Sequence, residues 1–258
     1  MLSKWLRAPE DVEPYSQLAL IYDFVMRHVD YARWAEYLAE LFVHVHGRVY
    51  DILDISCGTG SLAIKLTQLG YRLSGFDQSA SMVKQASLKL DKFGFAVPIW
   101  QGSMQGFSTK KRYDAVICTY DSFNYCQTVQ SCEAVFACVS EVLKGDGLFI
   151  FDVCTKKNSM KHFRNFYDNE RTREYEYIRQ SVFDPTKKIQ SNEFTIQWFN
   201  KPQKSYREIH KQRIYSLNEF VKMIPEDKFV LVGKYSGFSF EAGTENSERV
   251  QFVLRKCR

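Results

Sequence analysis

The sequence predicts an α/β protein: a seven-stranded, mostly parallel sheet with helices on both faces, an N-terminal helical cap and a small antiparallel β insertion. Three observations predict it. Apolar strand-like runs alternate with helix-period runs from 49 to 153. A glycine-rich turn follows the first of these runs. Between 155 and 215 the pattern switches to period two, before one more helix and two closing strands. Alternating strands and helices imply a parallel sheet with right-handed crossovers, and period-two polarity implies half-buried antiparallel strands.

Residues 15–46 read as helical, with Leu18, Ile21, Tyr22 and Val25 in step, a break near Asp30, then Tyr31, Trp34, Leu38, Leu41 and Phe42. Val49–Ile55 is the first strand, and Leu62, Ala63, Leu66 and Leu69 mark a helix ending at Gly70. Arg72–Phe76 is the second strand, closed by Asp77; Ser79 caps a helix carrying Met82, Val83, Ala86 and Leu90. Phe95–Trp100 and Tyr113–Thr119 are the third and fourth strands. The fourth is nearly all apolar, as a strand covered on both faces requires. Val129–Leu143 is a helix stopped by Gly145 and Gly147, and Leu148–Val153 is the fifth strand. Tyr175–Val182, Glu193–Phe199 and Tyr206–Tyr215 alternate, separated by turns at Asp184-Pro185 and Lys201-Pro202. Leu217–Met223 is a helix, and Lys228–Tyr235 and Glu248–Arg255 close the sheet. The expected organisation is a cap over 1–46, a core domain over 47–154 and 216–258, and the β insertion over 155–215.

A content of 45% hydrophobic and 25% charged residues in 258 positions is that of a globular protein, large enough for one elaborated domain or two small ones. The net charge of +5 is mild, and the basic runs at Lys110–Arg112, Lys156-Lys157, Lys187-Lys188 and Arg255-Lys256 are scattered. They read as solvated loop ends rather than a phosphate-tracking stripe. The seven cysteines are odd in number and form no CxxC pair. Cys57, Cys118 and Cys154 sit in or beside apolar runs and read as small buried residues in a reducing compartment, not as a disulfide framework or a metal site. His44 and His46 read as ordinary surface or helix-end residues. The N-terminus lacks an apolar segment, and no run reaches the ~18 residues of a membrane span. A cytoplasmic location is therefore expected.

The strongest chemical signal is Asp54-Ile55-Ser56-Cys57-Gly58-Thr59-Gly60-Ser61-Leu62-Ala63. Glycines there permit φ > 0 and close approach of a ligand to the backbone. The stretch also fits GxGxxA, so a dinucleotide site is one reading and a structural turn another. Three features favour S-adenosylmethionine. Asp54, four residues before the first glycine, suits a cationic amino-acid ligand and would repel a pyrophosphate. Asp77 ends the second strand and can accept two ribose hydroxyls. About 45 residues of helical pattern precede the first strand, enough to cover a pocket mouth.

Asp54–Gly60 resembles the DxxCGTG form of motif I in the class I S-adenosylmethionine-dependent methyltransferases. Gly75-Phe76-Asp77-Gln78-Ser79 with Met82 is similar to their GxDxSxxM segment. Tyr113–Val116 with Cys118–Asp121 resembles their fourth strand, and Leu143–Leu148 the LkpGG turn before the fifth. Outside the core, Tyr22-Asp23 with Asp30-Tyr31 and Trp34, Asp121–Tyr125, and Glu208-x-His210-x-x-Arg213-x-Tyr215 resemble a small-molecule-type, mostly bacterial subgroup. The resemblance spans nearly the whole chain. It implies a Rossmann-like fold, S-adenosylmethionine as cofactor, and methyl transfer to an acceptor the sequence does not name. By this resemblance the cofactor residues are Asp54, Ser56, Cys57, Gly58 and Gly60 on motif I; Asp77, Gln78 and Met82 after the second strand; Gly102, Ser103 and Met104 after the third; Thr119, Tyr120 and Asp121 after the fourth; and Tyr15, Tyr22 and Trp34 from the cap. Ser103 stands where the family usually has an Asp that meets the adenine amino group, which predicts weaker hold on the adenine.

Methyl transfer needs alignment more than acid–base machinery, and orientation can contribute ~7–11 kcal/mol. A base is required only when the acceptor arrives protonated. Tyr125, His210 and Arg213 are the candidates near the acceptor: His210 to take a proton, Arg213 to pair with a carboxylate or phosphate. Strand alternation sets Glu208 and His210 on one face and Arg213 on the other, and a salt-bridged strand surface is the plainer reading of the three. The insertion reads either as a roof over the substrate or as a homodimer interface. A small-molecule acceptor leads; an RNA- or protein-directed methyltransferase and a non-catalytic S-adenosylmethionine-binding or adaptor subunit stay open. No metal and no membrane partner are expected.

Overall fold

The computed structural model describes residues 8–45, 48–201 and 204–258. The first seven residues, His46 and Pro202 lie outside them. In chain order the elements are β1 (Glu10–Asp11), α1 (Tyr22–Val25), α2 (Tyr31–Val45), β2 (Asp51–Asp54), α3 (Ser61–Gln68), β3 (Arg72–Asp77), α4 (Ala80–Lys92), β4 (Ile99–Gln101) and β5 (Tyr113–Cys118). They continue with α5 (Val129–Val142), β6 (Leu143–Cys154), α6 (Lys156–His162), β7 (Asn165–Arg171), β8 (Tyr175–Asp184), β9 (Ile189–Trp198), β10 (Ser205–Arg213), α7 (Leu217–Met223), β11 (Phe229–Ser236) and β12 (Arg249–Lys256).

The main sheet has seven strands in the order β11-β12-β6-β5-β2-β3-β4. β12 runs antiparallel to both neighbours and the remaining pairs are parallel. Alternation along β6 shows how the two faces are filled. Phe149 and Phe151 face a core with Phe123, Phe136, Phe220 and Phe252, while Leu148 and Ile150 face a second core with Leu38, Leu41 and Ile52. Burying such side chains contributes ~1.5–3 kcal/mol each, which is why these strands read as continuous apolar runs. Strand order reverses between β2 and β5, and the crevice beyond the carboxyl ends of such strands is where open α/β sheets bind ligands.

The second sheet is β1-β10-β9-β8-β7, antiparallel except that β1 pairs parallel with β10. Its apolar inner residues Tyr175, Tyr177, Phe194 and Ile196 pack on Leu18, Ile21 and Val25 of the cap. The cap and the insertion thus share a sheet and a small core, a union the sequence reading did not anticipate.

Three further differences have physical causes. The helix expected to run to the glycines ends at Val142, and Leu143 turns extended (φ −76°, ψ 144°), so Gly145 and Gly147 open β6. A Cβ on Gly147 would meet the Lys144 carbonyl oxygen at 3.0 Å, so close backbone approach explains that glycine. The third strand forms only over Ile99–Gln101. And α6 and β7 were not read from the sequence: α6 offers only Met160 to an apolar cluster, and β7 is an edge strand with Phe166 and Tyr167 adjacent and exposed.

Candidate active site

A cavity of about 890 Å³ lies between the carboxyl ends of β2, β3 and β5, the cap and the inner face of the second sheet. The local chemistry of its floor follows from the strand ends. β2 delivers Asp54, 1% exposed, whose Oδ1 accepts the Ser56 N–H at 3.0 Å. Burial pushes its carboxyl up to about 7, against that amide bond. β3 delivers Asp77, whose two oxygens accept the Gly58 and Ser79 amides, each at 2.9 Å. Burial raises Asp77 as well, opposed by those bonds. Two desolvated carboxylates facing a cavity favour a cationic, hydroxyl-bearing ligand.

The glycines divide by role. Gly58 lines the cavity at φ +53°, and a Cβ there would meet nothing within 4 Å. Gly60, at φ +78°, does not line it; a Cβ would sit 3.2 Å from that of Ala86. Gly102 also lies off the cavity, where a Cβ would press on the Phe76 ring at 3.2 Å. Gly60 and Gly102 are therefore packing glycines in this structure. Gly58→Ala should weaken S-adenosylmethionine binding by tenfold or more, because its methyl enters the cavity, at a folding cost of about 1–2 kcal/mol for the left-handed backbone. Gly60→Val should chiefly lower the melting temperature. Calorimetric titration beside a thermal melt separates the two.

Of the other sequence-named residues, Tyr15, Tyr22, Ser56, Cys57, Gln78, Met82, Met104, Thr119, Tyr120 and Asp121 line the cavity. Ser103 does not; its Oγ accepts the Gln105 amide at 3.3 Å and closes a turn. Trp34 also does not: it is 4% exposed, behind Tyr120 at 6.1 Å between ring centroids and edge-on to Phe238 at 4.9 Å. Its apolar period on α2 is core packing. Asn124, which follows the end of β5, is fully buried; it donates to the Arg213 carbonyl oxygen and accepts the Cys154 amide, bracing β10 against β6.

The wall facing the second sheet holds a hydrogen-bonded chain. The hydroxyls of Tyr15 and Tyr125 lie 2.6 Å apart, Tyr125 Oη is 3.2 Å from His210 Nδ1, and His210 Nε2 is 3.2 Å from Glu208 Oε2. Glu208 also accepts the amides of Tyr15, Gln17 and Leu18 at 2.6, 2.6 and 2.9 Å. Burial works against its charge, but His210 and the Leu18 and Gln17 amides outweigh it and hold the carboxyl below the usual range. An ionised Glu208 takes Nε2–H, leaving Nδ1 to accept from Tyr125, which accepts from Tyr15. Burial raises both tyrosines far above their ordinary value, so neither ionises at neutral pH. Glu208 and His210 are thus interior groups, not a salt-bridged strand surface. Arg213 does not line the cavity; alternation along β10 turns it outward, over the Tyr215 ring at 5.2 Å.

Two wall features had not been singled out. Arg249, at the start of β12, pairs with Asp121 at 2.7 Å and with buried Asp152. Gln212 secures Asp121 at 2.6 Å. Asp121 and Tyr120 adopt φ of +52° and +61°, backbone strain of the kind that gathers at functional sites. Arg179 reaches the cavity from β8. Its signal was present in the sequence: the alternation Tyr175, Tyr177, Arg179, Ser181, Phe183 puts an arginine on the inward face.

A parallel sheet with a glycine turn, strand-end carboxylates and a roofed crevice defines a small-ligand α/β enzyme. Residues 52–147 match the family model described as a methyltransferase domain. A protein of Geobacillus sp. (strain WCH70) named as a methyltransferase is 29% identical over 251 residues, covering 94% of this chain and 99% of its own. The dTDP-3-amino-3,4,6-trideoxy-α-D-glucopyranose N,N-dimethyltransferase of Streptomyces venezuelae is 26% identical over 134 residues, covering 51% of this chain and 55% of its own. The crystal structure of an S-adenosylmethionine-dependent methyltransferase from Clostridium acetobutylicum ATCC 824 superposes with a TM-score of 0.79 at 24% identity, over 95% of this chain and 99% of that one. The chain carries a methyltransferase domain over residues 52–147 and is similar over nearly its whole length to proteins named as methyltransferases; S-adenosylmethionine is its cofactor. No helix among the described residues is long and apolar enough to cross a membrane.

The residues present fit this cofactor: Asp54 would hold its ammonium and Asp77 its ribose hydroxyls, and Gly58 would allow close backbone approach. An ammonium bound at Asp54 would stabilise its charged form, so protons would compete with it. Because burial sets the ligand-free carboxyl at about 7, affinity should hold above that pH and fall below it, by up to about tenfold per pH unit. Titrations across that range should show the slope in the wild type and a shallower one in Asp54→Asn, where Asp77 alone remains to be protonated.

Proposed function

We propose that this enzyme methylates a nitrogen of a small-molecule amine, with the second sheet as the substrate roof. The observation that carries the reading is the Tyr15–Tyr125–His210–Glu208 chain on the cavity wall. When bound, S-adenosylmethionine supplies an electrophilic methyl group. An amine at neutral pH arrives as an ammonium, whose lone pair is unavailable until a proton leaves. Tyr15 Oη has free lone pairs once its own hydrogen points to Tyr125. A proton accepted there shifts along the hydroxyls to His210 Nδ1, and Glu208 stabilises the imidazolium formed. Neither tyrosine needs to ionise. The cavity walls exclude water and orient the nucleophile.

The amine class is supported by the Streptomyces venezuelae relative, named as an amino-sugar N,N-dimethyltransferase. The roofed cavity favours a compact acceptor over an RNA or a protein. All seven cysteines are free, which supports a reducing, cytoplasmic setting. The test is a methyl-transfer screen over matched amines and alcohols, read by S-adenosylhomocysteine release. Turnover of amines with their hydroxyl counterparts inert supports the reading; turnover of the alcohols alone rejects it.

A further inference from the structure

We propose that Arg179 is an anchor for an oxyanion on the methyl acceptor, so that the acceptor is an amine that also bears a carboxylate or a phosphate monoester. This rests on the amine reading above and narrows it.

Arg179 lines the cavity from the roof. Its guanidinium lies 5.4 Å from the Phe163 ring centroid, 5.3 Å from that of Phe166 and 5.4 Å from that of Phe194. Its one hydrogen bond among the described residues runs from Nη2 to Asn192 Oδ1, at 3.1 Å. Ser181 Oγ donates to that same oxygen at 2.6 Å, which fixes the Asn192 amide and hence the fork. Nε is buried and has no partner. No carboxylate of the described residues forms an ion pair with it. Burial lowers its hold on its proton, though an arginine stays charged at any working pH.

A half-buried cation with a buried, idle Nε is costly to maintain. The rings nearest to it, Phe163, Phe166 and Phe194, carry no charge, and Asp168, its partner across β7–β8, acts on it without forming an ion pair. A planar fork held by aromatic rings is the arrangement that recognises carboxylate or phosphate oxygens. The opposite end of the cavity has the reverse sign. Asp54 and Asp77, which would hold the cofactor, form no ion pair among the described residues, and Arg249 is shared between Asp121 and Asp152. An acceptor whose anion is held by Arg179 can meet the Tyr15 hydroxyl with its nitrogen, since both groups line the same cavity. Arg213, the arginine the sequence offered for this role, faces outward.

The test uses the full chain saturated with S-adenosylhomocysteine and titrates inorganic phosphate and acetate by calorimetry. At least one should bind the wild type. Arg179→Gln should weaken that binding by about tenfold or more, and Arg179→Lys should keep part of it, since a charge-assisted bidentate contact loses its fork but not its charge. S-adenosylhomocysteine affinity should stay unchanged in both variants. Preference for phosphate assigns a phosphate monoester; preference for acetate assigns a carboxylate. Should Arg179→Gln lose S-adenosylhomocysteine, Arg179→Met replaces it. Absence of binding to the wild type, or equal binding by wild type and the uncharged variant, overturns the proposal. The readout involves no methyl transfer, so its failure leaves the amine reading standing, and failure of the amine screen leaves the anion result intact.

Discussion

His210→Gln is expected to lower kcat by about 10²- to 10⁴-fold, the range over which a positioned proton acceptor contributes, while leaving S-adenosylmethionine affinity unchanged. The variant should fold. Glu208, fully buried, keeps its bonds from Tyr15, Gln17 and Leu18 and the Ser16 hydroxyl when the imidazole is gone. The loss should also shrink as pH rises, because an amine that arrives already deprotonated has no proton to give. Rate measurements from neutral to about pH 10, near the value of an ordinary alkylamine such as a lysine side chain, check this. A deficit of constant size across that range would remove the proton-relay role and leave His210 a positioning residue.

The second large effect concerns stability. Arg249→Met should destabilise the fold by about 3–5 kcal/mol, since breaking a buried ion pair leaves its partners uncompensated. Arg249 is the cation that Asp121 and Asp152 share, and Asp152 is 1% exposed with Oδ1 already unpartnered. For a chain of this length the melting point should fall by about 6–20 °C. The pH dependence has a definite sign. Burial already holds Asp152 above its ordinary value, with Arg249 opposing; removing the arginine raises it further. A carboxyl whose folded value lies above its unfolded one costs stability as pH rises past the unfolded value. The deficit should therefore be larger at pH 8 than at pH 5, and adding Asp152→Asn should recover part of it. Thermal melts of the single and double variants at both values decide the matter.

Much of this architecture was legible because the chain's periodicities are undiluted where both faces are buried. β5 and the 148–153 part of β6 could be placed from their apolar runs and α7 from its helical period, and Asp54 and Asp77 could be placed at strand ends because a carboxylate closing an apolar run has nowhere else to point. What escaped had weak local signals. β1 is two exposed acidic residues whose strand character comes only from Tyr206 and Arg207, nearly two hundred positions away. α6 is mostly lysine and polar residues with a single apolar anchor. Within the site, period two correctly separated Glu208 and His210 from Arg213, yet not which face looks inward: a strand pattern with charges on both faces has no sign until tertiary packing supplies it. Trp34 fits the helical stripe of α2 as core, and family resemblance had drawn it toward the cofactor.

The Glu208 contacts also fix an order of events during synthesis. Its carboxylate seals the amides of Tyr15, Gln17 and Leu18 across sequence separations of 193, 191 and 190 residues. At about 5–20 residues per second on the ribosome, roughly 10–40 s pass between the emergence of the first partner and the last. For most of that interval Leu18, Ile21 and Val25 have no Tyr177, Phe194 or Ile196 to cover them. The nascent chain therefore holds an apolar stretch in waiting while the parallel sheet assembles, and the cavity acquires its wall only when its earliest and nearly its latest segments meet. Pulse-labelling hydrogen exchange on refolding chains should find the amides of residues 15–18 among the last to gain protection.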